Sequence, residues 1–438
     1  MTYNNKPINS DSMNTQGEIK PINGHYNGNG HAVPGINGKN ILPVEVPIAD
    51  LICFSHLRWN FVFQRPQHLL TRWAKEMRVT FIEEPILGNF EMNELRVAGC
   101  EDSNNITILT PYIAAGTSEK ELTAYLEKSI KEYISKNKIE DYLLWYITPM
   151  AIPFSQNLSP RMVVYDCMDE LSCFKDANPD ISKNEAQLLR YADVLFTGGY
   201  NLYEYKKHMH YNIHPFPSSI DQKHFESGAG SMDPADQANI AHPRVGFFGV
   251  IDERLDIELL DGLALEMPST QIILIGPVVK IDPAILPRHK NIHYLGQKTY
   301  NQLPAYLANW DIAFLPFAKN DSTRFISPTK TPEYLCAGKP VVSTSIHDVV
   351  NPYGTMGLVH IADTVPEFSA AIHKALEQAD DKEWWKNVQE FLKTNSWDLT
   401  WSKMKKIILE TLEKKDIHNK RYSYPTDTLI NISYPTIL

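Results

Sequence analysis

The sequence predicts an α/β protein of two lobes, each a parallel sheet wound with helices. Short β-rich runs alternate with amphipathic stretches along most of the chain, the pattern of parallel βαβ units. The alternation falls into two series of similar length. A Pro/Ser-rich segment, NIHPFPSSIDQKHF from Asn212, stands between them and reads as a linker. Two wound lobes on one linker imply a cleft between them.

Strands are read at the apolar, β-branched and aromatic runs, helices where apolar residues recur at helical spacing. The first series opens with DLICFS from Asp50 and helix QRPQHLLTRWAKE, then RVTFIEE and a helix near Glu119–Ser135. LLWYIT from Leu143, MVVYD ending at Asp166, a helix near Glu185–Tyr191, DVLFTG and a helix from Asn201 complete it. The second series runs RVGFFG from Arg244, helix LDIELLDGLALEM, QIILIG, NIHYLG, helix YNQLPAYLANW and DIAFLPF. A helix through Tyr334, KPVVST, MGLVHIA and a helix from Val365 follow. Two closing helices, around Asp381–Thr394 and Trp397–Lys414, have no strand after them and could pack on either lobe.

The ends differ in kind. The Asn/Gly-rich start, residues 1–43, has too little apolar surface to offset its ordering entropy and is expected to be disordered. Residues 415–438 lack helical periodicity and read as a tail whose Tyr and Ile side chains leave a docking role open. The expected domains are therefore 49–217, 218–396, and a last helix over 397–414.

Composition narrows the partners. The chain has 438 residues, 43% hydrophobic and 21% charged, an ordinary globular balance consistent with two or three domains. Lys and Arg number 42 against 52 Asp and Glu, a net charge of -10. No basic block is long enough to follow a phosphate backbone, so no nucleic-acid partner is expected. A strongly basic membrane-binding face is also disfavoured, although a small local one would not alter the average. No run reaches the ~18 apolar residues of a membrane span, and no secretory signal opens the chain. The 5 Cys residues lack C-x-x-C spacing, and several lie in apolar runs. A cytoplasmic protein without disulfides or zinc is the economical reading.

Open parallel sheets bind ligands at the carboxyl ends of their strands. In the first lobe those ends carry Ser55 to Trp59 with His56 and Arg58, then Glu83 and Glu84, Thr148, Asp166 with Asp169, and Thr197. In the second they carry Gly249 to Arg254, Gly276 to Lys280, Gly296 to Lys298, and Ser343 with Thr344. Histidine and carboxylates rim the first lobe; glycines and cations, suited to a phosphate, rim the second.

The strongest local signal is SPTKTPEYLCAGKPVVST from Ser327. Pro332 is tolerated at the start of a helix but not inside it, so a helix capped by Thr331 is expected. Its free N–H groups, the positive helix end and Lys330 would make an anion site. Glu333 in the first turn either accepts two sugar hydroxyls or simply complements the dipole. Arg254 in VGFFGVIDERLD either clamps a diphosphate or is a solvated helix-start residue, and Lys280 in IGPVVK divides in the same way. The chain lacks G-x-G-x-x-G and GxxxxGK[ST] spacings. In YDCMDE, Asp166 or Asp169 could act as base toward a hydroxyl, or they could bind backbone N–H groups and cap a helix. His56 and Arg65 sit at a strand–helix turn suited to gripping an acceptor. His208, His210 and His214 form no ligand spacing.

The segments FSHLRWNFVFQRPQHLL, VVYDCMDELSCF, FFGVIDERLD, IGPVVK and SPTKTPEYLCAGKPVVST resemble bacterial group 1 (family 4-like) glycosyltransferases, especially those of teichuronic-acid and exopolysaccharide synthesis. The resemblance covers roughly residues 49–414. It implies a GT-B fold: an acceptor lobe, a nucleotide-sugar lobe, and last helices that cross back to the first lobe. It assigns Glu333, in E-x-x-x-A-G-x-P, to the donor ribose, and Arg254, Lys280 and Lys330 to the diphosphate. Gly249, Ser327 and Thr329 complete the implied donor set; Arg58, Trp59 and Arg65 the acceptor set; Asp169, His56 and Asp166 the catalytic candidates. The family's E-x7-E motif has its first Glu where this chain has Phe325, which leaves sugar identity and stereochemical outcome open. The resemblance implies no metal, since helix dipole and cations take its place in this fold class, and no cofactor, since the nucleotide-sugar is a co-substrate.

The expected activity is transfer from a UDP- or GDP-sugar to a polysaccharide or glycolipid acceptor, a glycan or lipid-linked glycan. The location is cytoplasmic, with peripheral association at the inner face of the cell membrane left open. Two rivals stand beside it: a UDP-sugar epimerase on the same fold, and a non-catalytic nucleotide-sugar-binding relative.

Overall fold

The computed structural model describes residues 48–422, with side chains to residue 417. The expected disordered start and the end of the chain from residue 423 lie outside the described residues.

The first lobe contains β1 (Asp50–Ser55), α1 (Arg65–Trp73), β2 (Arg78–Glu83), β3 (Ile86–Gly88), β4 (Glu94–Gly99), β5 (Ile106–Ala114) and α2 (Glu119–Lys136). It continues with β6 (Tyr142–Tyr146), α3 (Ile152–Ser155), β7 (Met162–Cys167), α4 (Ile181–Tyr191), β8 (Val194–Thr197), α5 (Tyr200–Lys206) and β9 (Ile213–Pro215). Its sheet runs β3-β5-β2-β1-β6-β7-β8-β9, parallel throughout, with β4 antiparallel on β5. The central strands YLLWY and MVVYDC are buried at every residue, as strands covered by helices on both faces must be.

The second lobe contains α6 (Gln222–Glu226), β10 (Arg244–Phe248), α7 (Ile257–Glu266), β11 (Gln271–Ile275), β12 (Ile292–Gly296), α8 (Leu303–Ala308) and β13 (Ile312–Leu315). Then come α9 (Lys330–Cys336), β14 (Val341–Ser343), α10 (His347–Val349), β15 (His360–Ile361), α11 (Val365–Gln378), α12 (Lys382–Leu392) and α13 (Trp397–Tyr422). The sheet order is β12-β11-β10-β13-β14-β15. Both sheets thus reverse direction beside their first strand, between β1 and β6 and between β10 and β13. Those are the switch points where an open α/β sheet leaves a crevice at its carboxyl edge.

The closing helices divide between the lobes. Trp384, Val388 and Leu392 of α12, spaced by one helical turn, enter the second core. Trp397, Met404, Ile408 and Leu412 of α13 enter the first. Helix α13 runs to Tyr422, so the expected tail from residue 415 begins inside it. The expected linker also starts too early, since Ile213–Pro215 pairs with β8 as an edge strand, a place that tolerates Pro215.

Several contacts fasten the lobes. The Asp348 carboxylate, from the second lobe, accepts the backbone N–H groups of Tyr200 and Asn201 at 2.8 and 3.0 Å, at the start of α5. Gly199 makes this approach feasible, because a Cβ there would lie 2.3 Å from Asp348 Oδ2. Ser218 Oγ donates to the Ser327 carbonyl at 2.6 Å. Phe325 is buried among first-lobe residues and packs on Tyr205.

Candidate active site at the interlobe cleft

On the second lobe, α9 begins two residues earlier than expected. Thr329, not Thr331, precedes the first helical residue, and its side chain makes no capping bond. Pro332 is the third helical residue, where a missing N–H still has no intrahelical acceptor to lose. Thr331 is buried instead, and its Oγ1 finds no hydrogen-bond partner among the described residues. Glu333 is buried with Lys330 Nζ 2.8 Å from its carboxylate. Burial pushes the Glu333 carboxyl up, and Lys330 opposes that shift. Lys330 also lies 4.9 Å from the Phe248 ring centroid, so it is held by both neighbours rather than free in solvent.

Gly249 does not offer its N–H to a phosphate, because that group donates to the Ile275 carbonyl at 2.9 Å. The steric demand falls on Gly276 instead: a Cβ there, at φ +148°, would lie 1.7 Å from the Gly249 carbonyl oxygen. Arg254 is clamped by buried Asp252, with its Nη2 2.7 Å from Oδ2. Lys280, at φ +62°, places Nζ 4.0 Å from Glu253. Phe174 reaches over from the first lobe, its ring centroid 5.7 Å from the Arg254 guanidinium and 5.3 Å from Lys280 Nζ. Ser327 is engaged with Ser218 at the lobe junction.

On the first lobe, three expectations need correction. Asp166 is 1% exposed and takes the Arg65 guanidinium through Nε and Nη2 at 3.1 and 2.7 Å. Arg65 Nη1 donates to the Phe216 carbonyl, so neither residue is open to an acceptor and Asp166 is not an available base. Trp59 is a core residue: its indole N–H binds Asp102 at 2.7 Å and its ring packs edge-on against Phe81. Arg58 is half-buried on Glu83, which also receives the Trp59 N–H and the Thr110 hydroxyl.

Asp169 and His56 differ from these. Asp169 is half-buried, and burial raises its carboxyl from 3.8 to about 6, against the pull of Arg254 and Arg65 and with the push of Asp252. It thus lies within electrostatic reach of the second lobe's principal cation. His56 sits at the β1/β6 switch point beside the Ile147 backbone. Burial, then the charge of Lys280, lowers it to about 4, so the imidazole is neutral near pH 7. Its Nδ1 has no hydrogen-bond partner among the described residues. The strand-end rule therefore places His56, Asp169, Arg254 and Lys280 around one interlobe space. It did not single out Phe174, Tyr300 or Glu253. Tyr300, whose buried hydroxyl has no partner among the described residues, feels the Glu333 charge and stacks on His224 at 3.9 Å. No local sequence pattern marks any of the three. Among the described residues, no three His, Cys, Asp or Glu side chains gather in a way that could hold a metal ion.

A family model described as "Glycosyl transferases group 1" matches residues 243–378, the body of the second lobe. The chain is thus similar to group 1 glycosyltransferases through its second lobe, and its two wound sheets facing one cleft form a GT-B architecture. Among particular proteins, the chain is 24% identical over 274 residues to one from Bacillus subtilis (strain 168) named for teichuronic acid biosynthesis as the glycosyltransferase TuaH, covering 58% of this chain and 68% of the relative. Its fold is similar to that of sucrose-phosphate synthase from Thermosynechococcus elongatus, at TM-score 0.61 and 12% identity over 84% of this chain and 100% of that one. It is also similar to an E. coli trehalose-6-phosphate protein bound with UDP-2-fluoro glucose, at TM-score 0.61 and 12% identity over 83% and 99%. HepE of Anabaena, solved with UDP and glucose, aligns at TM-score 0.55 and 14% identity over 82% and 99%.

Proposed function

We propose that the protein transfers a sugar from a UDP- or GDP-sugar to a glycan or lipid-linked glycan acceptor during cell-surface polysaccharide or glycolipid synthesis. The observation that carries this reading is the opposition across the cleft: Asp169 and neutral His56 face the Arg254 and Lys280 cations. The B. subtilis relative supports the polysaccharide class by its name, and HepE, solved with UDP, supports the nucleotide.

In this reading the diphosphate meets Arg254, Lys280 and Lys330, and the ribose meets Glu333. An acceptor hydroxyl attacks the anomeric carbon as the bond from that carbon to the diphosphate oxygen breaks. The hydroxyl proton passes to Asp169 or to the departing phosphate. Arg254 and Lys330, held by Asp252 and Glu333, need little reorganisation as charge develops on the leaving group, which is the setting for electrostatic stabilisation. No helix among the described residues is long and apolar enough to cross a membrane, so contact with a lipid-linked acceptor would be peripheral.

Glu333→Gln is expected to weaken nucleotide-sugar binding by about 1.5–3 kcal/mol, the scale of a charged hydrogen bond. Calorimetry checks this, and an unchanged affinity would make Glu333 a partner of Lys330 alone. The whole reading is tested by thermal shift against UDP-, GDP- and dTDP-sugars, since a ligand of the folded state raises the melting temperature. No stabilisation by any of them at millimolar concentration overturns it. Stabilisation without transfer or donor hydrolysis would identify a non-catalytic binder.

A further inference from the structure

Glu253 has no place in the assignments above, and its surroundings are unusual. Both carboxylate oxygens are buried and neither finds a hydrogen-bond partner among the described residues. The nearest cation, Lys280 Nζ, stands 4.0 Å away, beyond hydrogen-bond length. Arg254 next to it in the chain is already committed to Asp252. The Glu253 carbonyl is pinned by Asn320 Nδ2 at 3.0 Å, which fixes the backbone from which the side chain projects. Phe174 closes over the same Arg254 and Lys280, so the acid lies on the wall that the two lobes share.

A buried carboxylate without donors is costly, and such groups in folded proteins call for an explanation. Two adjacent acceptor oxygens match a vicinal pair of hydroxyl donors. They do not match a diphosphate, whose charge they would repel.

We propose that Glu253 accepts the hydroxyl hydrogens of the sugar part of the donor and so selects which sugar is carried. This rests on the nucleotide-sugar reading above and deepens it. Arg254, next to the acid in the chain, and Lys280, 4.0 Å from it, then hold the diphosphate within one sugar length of it. The residue is a binding determinant, set apart from proton transfer.

The test compares each free nucleotide with its sugar conjugate: UDP with UDP-glucose, and GDP with GDP-mannose, by calorimetry on the wild type, Glu253→Gln and Glu253→Ala. Both variants are expected to bind the free nucleotide within about twofold of wild type and to lose roughly tenfold or more in affinity for the conjugate, as one charged hydrogen bond would supply. Glu253→Gln should also melt no lower than wild type without ligand, because it removes a buried charge. Equal losses for nucleotide and conjugate, or no loss for either, overturn the proposal while leaving the glycosyltransferase reading intact. If the wild type binds none of the four, that reading and this one fail together.

Discussion

Asp169→Asn is expected to lower sugar transfer by about 10²–10⁴-fold, the usual scale of general-base catalysis, while nucleotide binding survives. The substitution keeps the shape of the side chain and removes only its capacity to accept a proton. Burial raises the Asp169 carboxyl to about 6, close to the range in which a base works best near neutral pH. The wild-type rate should therefore climb as pH rises through about 6, where Asp169 ionises, and the Asn variant should lack that limb. Stability runs the other way. A carboxyl raised above its unfolded value binds its proton more tightly when folded, so stability declines as pH rises from 3.8 to about 6. The Asn variant should escape that decline and melt at least as high as wild type at pH 7. A mild kinetic effect with the pH limb intact would assign the proton to the leaving phosphate.

Asp166→Ala should act on the fold, with a loss of about 3–5 kcal/mol in folding free energy, because it strands the Arg65 guanidinium inside the first lobe. Arg65 is 4% exposed, and its Nη1 is already committed to the Phe216 carbonyl. The prediction concerns an unpaired charge, which a second variant isolates. Arg65→Met combined with Asp166→Leu removes both charges and should recover most of the loss. Urea midpoints followed by a first-lobe signal would report it. A similar loss in single and double variants would assign the cost to packing alone.

These two aspartates show what was legible in the sequence. Strand ends could be read because a parallel strand buried on both faces is a continuous apolar run, as in MVVYDC and QIILI. The segment over β3, β4 and β5 escaped that reading, since β4 is an exposed antiparallel edge with no buried residue. The same strand-end rule placed both Asp166 and Asp169 at the rim. It could not tell which was free, because the partner that neutralises Asp166 lies 101 positions earlier in the chain. Trp59 was misread for a similar reason, its partner Asp102 lying on a later loop. Glu253 was invisible because what distinguishes it is the lack of a hydrogen bond among the described residues, a property of three dimensions only.

The division of the last two helices has a consequence for synthesis. The first lobe's core is closed by Trp397, Met404, Ile408 and Leu412, which the ribosome makes after every strand of the second lobe. A nascent first lobe therefore waits with an open apolar seam along α1, where Trp73 and His68 later meet Trp401 and Trp397. Domains usually fold in the order in which they emerge. Here the lobe begun first is finished last, and the second lobe must fold beside an incomplete neighbour. Chaperone dependence during translation should therefore track the first lobe, and separate production of residues 49–217 should yield a chain that aggregates through that seam.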